Sequence, residues 1–280
     1  MSNFRFFKSF FLSILFIFIL NFNLFCNKNI SEKAESYIDS FMNFRVELTQ
    51  FKDKSFAAEE LEKYRIQNAY TDFSEQEKLI IDSFYLLEKY NYIWENKEND
   101  KYLQNALLSQ MDENFKFISE NKGNVNEWLY VITADTISCY MSYSPVSGAI
   151  KYGTKVKEFY EECLKLDAEN SYCLTHIGQW YFWAPGIAGG SGKKALHYFE
   201  KGLNAAKNNA EKFYALIFLS QFLYENKDKS DAQNYLDSAK ALFPKSVYLN
   251  EIQEYNNKGY SLFSYSKKKA KDENRVEKSY

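Results

Sequence analysis

The sequence predicts an all-α fold, a solenoid of antiparallel helix pairs behind an N-terminal signal segment, and three observations predict it. Glycine and proline number only 10 and 3 in 280 residues while aromatics reach 19%, a balance that suits long helices better than a many-turned sandwich or barrel. Apolar residues recur at steps of three and four along most of the chain. The second half, in addition, repeats a pattern of small and large residues at fixed spacing.

Residues 1–26 form a separate object. Arg5 and Lys8 make a basic head, Phe10 to Leu20 is an apolar run broken only by Ser13, and polar Asn21 and Asn23 precede Cys26. That order is the secretory arrangement of charged head, apolar stretch and processing site. Cys26 resembles the acceptor cysteine of a bacterial lipoprotein, which implies lipidation there and a membrane anchor at the new N-terminus. An uncleaved signal anchor and ordinary secretion are the alternatives, since extension of the apolar run through Phe25 approaches the roughly 17–25 residues of a spanning helix. All three place the folded part outside the cytoplasm, in the periplasm or outer cell envelope.

Residues 27–36 read as a polar tether, and a helical repeat domain is expected over 37–262. One stripe is Ile80, Phe84, Leu87 and Trp94, widened by Ile81 and Tyr85, with Glu88 and Lys89 off its centre. Similar stripes run through Tyr37, Phe41, Phe44 and Leu48, and through Leu103, Leu107, Met111, Phe115 and Ile118. Breaks at Lys52 to Ser55, Tyr70 to Ser74, Asn96 to Asp100, Asn121 to Asn124 and Ser142 to Gly148 divide the first half into five helices joined by short turns.

In the second half the spacing becomes specific. Leu174, Ile177, Gly178 and Tyr181 are followed by Ala195, Phe199 and Gly202; Leu216, Leu219, Ser220 and Leu223 are followed by Ala232, Leu236, Ala239 and Pro244. These residues stand at the positions of the tetratricopeptide (TPR) repeat, W-x2-L-G-x2-Y in one helix and A-x3-F in the next. Upstream, Val156, Tyr160 and Cys163 occupy second-helix positions, and the turn Leu166 to Asn170 resembles the usual L-D-P-x-N. The small residues let paired helices approach closely while Tyr181, Phe199 and Leu236 fill the space to the next helix. Residues 31 to about 143 carry the repeat only in degenerate form.

Between Tyr181 and Ala195 the chain is about five residues longer than the consensus hairpin, and reads Trp183 to Ser191 as W-A-P-G-I-A-G-G-S. With Lys193 to Lys201 following, this segment resembles the A-P-x-x-x-G-G-[DS]-x-x-K-A-x-x-x-F-E-K stretch of the TatT-like lipoproteins. Those are TPR-like periplasmic proteins associated with TRAP-type solute transporters. The resemblance covers about residues 150–245 and implies a partner or ligand role beside an uptake system. A generic envelope TPR scaffold for protein–protein interaction is the alternative.

The rest of the sequence narrows the chemistry. Setting aside Arg5 and Lys8 leaves 33 basic side chains against 37 acidic ones, so no basic face for nucleic acid is implied. Three cysteines follow Cys26; they read as buried thiols, with Cys163 and Cys173 the only pair placed for a bridge. Gly189 to Lys194 is not a phosphate loop, because position 187 is Ile and position 194 is Lys. The only histidines, His176 and His197, read as helix residues without metal-ligand spacing. No catalytic set, metal or cofactor is readable, and the chain is expected not to be an enzyme.

What remains is the aromatic block Trp180-Tyr181-Phe182-Trp183, which one helix face cannot bury whole. Trp180 and Trp183, with Pro185, Gly189, Gly190, Ser191 and Lys193, are therefore the candidate ligand or partner site: two indoles lining a recess beside a helix start that could meet a carboxylate. A protein partner, such as a transporter's solute receptor, or a small hydrophobic or anionic solute fits that surface, and homo-oligomerisation stays open. Residues 263–280 are charged, lack apolar periodicity and read as a disordered tail.

Overall fold

The computed structural model describes residues 29–96, 100–143 and 145–272, so the signal segment and Cys26 lie outside the described residues. Among these residues there are twelve helices and no strand: α1 Glu32–Leu48, α2 Lys54–Gln67, α3 Glu75–Asn96, α4 Asp100–Glu120, α5 Glu127–Met141, α6 Pro145–Leu166, α7 Ser171–Trp183, α8 Gly192–Ala205, α9 Asn209–Glu225, α10 Lys229–Leu242, α11 Val247–Asn257 and α12 Leu262–Asp272. None is long and apolar enough to cross a membrane.

Most of the breaks supply a side chain that satisfies a free helix-start amide. Ser31, Asp53, Asn126, Asn170, Ser191, Asn208 and Asp228 all cap the helix that follows them. α3 starts with a reciprocal capping box, Ser74 Oγ accepting from Glu77 N at 3.3 Å and Glu77 Oε2 accepting from Ser74 N at 2.8 Å. The break expected at Ser142 to Gly148 is shorter than foreseen, because Pro145 opens α6. Proline suits the first helical position, where its missing N–H would have no partner.

Consecutive helices pack as neighbours, most broadly α5 with α6, α7 with α8 and α9 with α10. Small residues set these contacts. A Cβ on Gly178 would stand 3.0 Å from the Phe199 ring, so the ring lies directly on the α7 backbone. In the next pair, Ser220 Oγ donates to the Ala232 carbonyl at 2.7 Å, wholly buried. In the first half α3 is central, burying Ile80, Ile81, Phe84, Tyr85 and Leu87 against its neighbours. The last helices return to the first: Val247 N and Tyr248 N both donate to the Thr49 carbonyl, at 2.9 and 3.2 Å, and α1 packs on α9.

Three expectations change. The tether stops short of residue 36, because Ile30 and Ala34 are buried, and Ser31 N donates to Glu77 Oε1 at 2.6 Å, which draws the chain onto α3 before α1 begins. The tail does not begin at 263: α12 runs from Leu262 to Asp272, with Phe263 buried among Phe182, Trp183 and Phe218. Phe263, with Tyr265 stacked on Tyr255 and Leu262 N donating to Gln221 Oε1 at 2.8 Å, thus docks a helix that its charged sequence conceals. Glu88, read as peripheral, is only 4% exposed, because Arg45 of α1 reaches across to neutralise it.

Candidate binding surfaces at the tip and the centre

The inserted segment between α7 and α8 is a built loop. Pro185 leads into a single 3-10 turn, Gly186–Ala188, which closes on Gly189 at φ 98°, a conformation that favours glycine. At Gly190 a Cβ would fall 1.7 Å from the Ala184 carbonyl oxygen, so no other residue fits. The amides of Ala188 and Gly190 donate to the Pro185 carbonyl, Gly189 to Gly186, and Ser191 to Tyr181. Four successive N–H groups are therefore used inside the loop, and Ser191 Oγ takes Lys194 N at 3.3 Å. The loop itself keeps little donor capacity for a carboxylate, and the helix-start amides beyond it are those of Gly192 and Lys193.

The two indoles turn to different neighbours instead of sharing a recess. Trp180 donates from Nε1 to the Gly153 carbonyl of α6 at 3.1 Å and lies under Lys157. Trp183, 47% exposed, packs its edge on Phe263 of α12. Beyond them Ile187 is fully exposed, at 101%, and Ile150, one turn from Gly153 on α6, is 83% exposed. Pro185, Lys193 and Lys194 are exposed at the same end, with the Lys194 ammonium over the Tyr181 ring. Neither 142–157 nor 170–199 holds an acidic residue, so this tip is apolar and basic.

The position of the tip follows from helix direction. Ser31 and Asn126, at the starts of α1 and α5, both bond to side chains in the first turn of α3, Glu77 and Gln76. Near the start of α7, Tyr172 packs on Trp128 near the start of α5, so α7 runs the same way. Its C-terminal end, with the tip, lies about 20 Å of helix beyond its own start, on the side away from the pole where residues 29–31 enter the fold.

A second group of residues went unread in the sequence. Asp135 of α5 is 6% exposed and accepts three hydrogen bonds: from Tyr160 at 2.6 Å, from Tyr172 at 2.7 Å, and from His176 Nδ1 at 2.9 Å. Burial, and then the Asp135 charge, push both tyrosine pKa values well above the ordinary 10, which keeps them donors. The His176 ring stacks on Tyr172 with centroids 4.0 Å apart and meets the Phe218 edge of α9. On the other side of Tyr172, Arg45 Nε bonds Glu88 at 2.6 Å, Tyr92 donates to the same carboxylate, and the guanidinium lies 5.1 Å from the Tyr214 centroid. Burial works against the Arg45 charge, but Glu88 outweighs it and raises the pKa well above normal.

Cys139 sits one turn after Asp135, and burial, with Asp135 adding to it, pushes its thiol well up and holds it protonated. Cys163 and Cys173 are free and buried, Cys173 donating to the Tyr160 carbonyl at 3.4 Å. Among the described residues no three His, Cys, Asp or Glu side chains gather as a metal site would require. The signal that could have found the centre was Asp135 itself, a lone carboxylate between buried Val131, Ile132, Ala134 and Ile137. Comparison with protein-family models and with curated proteins finds no match for the chain.

Proposed function

We propose that this protein is an exported, membrane-tethered helical-repeat protein of the TPR-like kind, related to the TatT-like lipoproteins, which holds a partner protein or a solute beside an uptake system. It performs no chemistry on what it holds. Support for the repeat reading comes from Gly178 against Phe199 and Ser220 against Ala232, close approaches at the positions where such repeats need small residues.

The observation that carries the functional reading is the tip. Exposed Trp183 and Ile187 end α7 and its loop, exposed Ile150 lies one turn from Gly153, to which Trp180 donates, and Lys151, Lys155, Lys193 and Lys194 are exposed in the same segments. Scattered apolar residues are ordinary on a surface, whereas a group at one end is an interaction surface. With an anchor at Cys26 only a few residues from buried Ile30, the tip would face away from the membrane and meet a partner with an apolar pocket and an acidic rim. A solute receptor of the transporter has that accessibility; a scaffold for another envelope protein would use the same surface.

A photo-crosslinking side chain placed at Ile187 in cells, with Glu59 on the exposed side of α2 as control, tests this. One discrete adduct is expected from 187, lost in Trp183→Ala, and none from 59. Adducts at both positions, or at neither, reject the tip as the docking surface. Cys26→Ala should release the chain from membranes or block its maturation, and persistent labelling of that variant by a palmitate analogue would reject the lipoprotein anchor.

A further inference from the structure

We propose that Cys163 and Cys173 form a disulfide that staples α6 to α7 once the chain is exported, with Cys139 left as a free thiol. This rests on the reading of the chain as an exported protein, because disulfides persist in oxidising compartments and are rare where thiols are kept reduced. A bridge also needs its two cysteines already facing each other, since distant backbones must move to close it. Here they do. Cys173 lies in the first turn of α7, its amide capped by Asn170 Oδ1 at 2.8 Å and its sulfur 3.4 Å from the Tyr160 carbonyl of α6. Cys163 stands one turn beyond Tyr160 on the same helix, and the two thiols are within hydrogen-bond reach of each other. Packing holds them there, for both side chains are 0% exposed. The turn between the helices is short and internally bonded: Asp167 N donates to the Cys163 carbonyl at 2.9 Å, Asn170 N to the Asp167 carbonyl at 3.3 Å, and Leu174 N to the Asn170 carbonyl at 2.9 Å. Cys139 is on α5, one turn after Asp135, whose charge is the one acting on it.

The step is a thiol–disulfide exchange with a disulfide-carrying oxidant, either an oxidised dithiol protein or a small organic disulfide. One cysteine thiolate attacks the oxidant's S–S bond to give a mixed disulfide, and the second displaces the oxidant's remaining sulfur. Two S–H bonds are lost, one S–S bond forms, and the oxidant leaves reduced with the two electrons and two protons. Burial, and then the neighbouring Cys163, raise the Cys173 thiol well above its ordinary 9, so thiolate is scarce in the folded chain. The bond therefore forms while α7 is still folding onto α6 and is afterwards closed to reductant.

Cells expressing the full chain are quenched in acid, free thiols are alkylated, and unreduced peptides are mapped by mass spectrometry. A second sample is reduced, unfolded and refolded with oxidised glutathione, which needs no export. Both should show one linked peptide pair, Cys163 with Cys173, and an alkylated Cys139. Dithiothreitol should cleave the link at least about tenfold faster in denaturing urea than in buffer. A link to Cys139, or three alkylated thiols after refolding, overturns the proposal and leaves the exported reading standing. A link after refolding with free thiols in the cell sample overturns it through the exported reading instead. Equal cleavage rates with and without urea place the bond outside the buried contact and overturn it as well. If the chain does not refold, the cell sample alone decides. Crosslinking at Ile187 uses neither cysteine, so the docking reading stands or fails separately.

Discussion

Glu77 shows how much one side chain can do here. Its carboxylate accepts from Ser74 N within α3 and from Ser31 N before α1, so it caps one helix and ties down the entry of the chain. Burial alone would raise its pKa, but the Ser31 and Ser74 hydrogen bonds outweigh burial and bring it from 4.5 down to about 2. A carboxyl depressed in the folded state contributes stability that is present above the unfolded value and lost as pH falls through the folded one. Glu77→Gln should therefore cost about 1–3 kcal/mol at neutral pH, with the gap to the unaltered chain closing between pH 4.5 and about 2. Urea denaturation across that range measures it, and a gap independent of pH would remove the carboxylate from the account. Glu127 and Glu211, raised by burial, act in the opposite sense and cancel when the two proteins are compared. At the centre the expectation is larger: Glu88→Gln leaves the Arg45 charge buried without its counter-charge, and should cost about 3–5 kcal/mol. A loss under about 1 kcal/mol would mean that Arg45 finds water instead.

At the scale of elements, the helix pairs depend on close approach and α12 on a few side chains at its start, Phe263 foremost. Gly178→Leu drives a branched side chain into the Phe199 ring, already 3.0 Å from where a Cβ would stand. Overpacking of that kind costs about 1–3 kcal/mol, against almost nothing for Lys227→Leu in an exposed turn, and thermal melting of the two variants compares them. Equal melting temperatures would dissolve the proposed register of α7 on α8. Phe263→Ala should do something different. It removes the ring that meets Phe182, Trp183 and Phe218, leaving Leu262 and the Tyr265 stack on Tyr255 to hold a helix whose side chains from Ser266 to Lys269 are polar or basic and mostly exposed. Hydrogen exchange in α12 should rise toward that of an open chain while α7 and α9 stay protected. Uniform loss of protection would make α12 part of the cooperative core.

Over the whole molecule, the decisive feature is the return of α11 to α1. Thr49 accepts from Val247 and Tyr248 and pairs with Ser246 across nearly the full described chain. Val247→Pro isolates this contact, since proline is tolerated as the first residue of a helix but cannot donate to Thr49. A loss of about 0.5–1.5 kcal/mol is expected, read by denaturant unfolding, and no loss would show that the two ends merely lie side by side. The same closure brings α9 against α1, and so places Tyr214 and Phe218 near Arg45 and His176.

What the sequence determined by itself was local. Periodicity, caps and scarce glycine specify helices and their turns, because backbone hydrogen bonding and one apolar stripe are settled within a few residues. Repeat spacing also picked out Gly178 and Ser220 as close approaches, since both partners of each contact lie within one hairpin. Only the tertiary structure decided that Glu88 is interior, that α12 docks, that Trp180 and Trp183 part company, and that Asp135 gathers Tyr160, Tyr172 and His176. These outcomes turn on partners 25 to 81 residues away in the chain, at Tyr160 for Asp135 and at Phe263 for Phe182. A buried charge or a docked ring takes its free energy from such distant groups, and spacing along one helix carries no record of them.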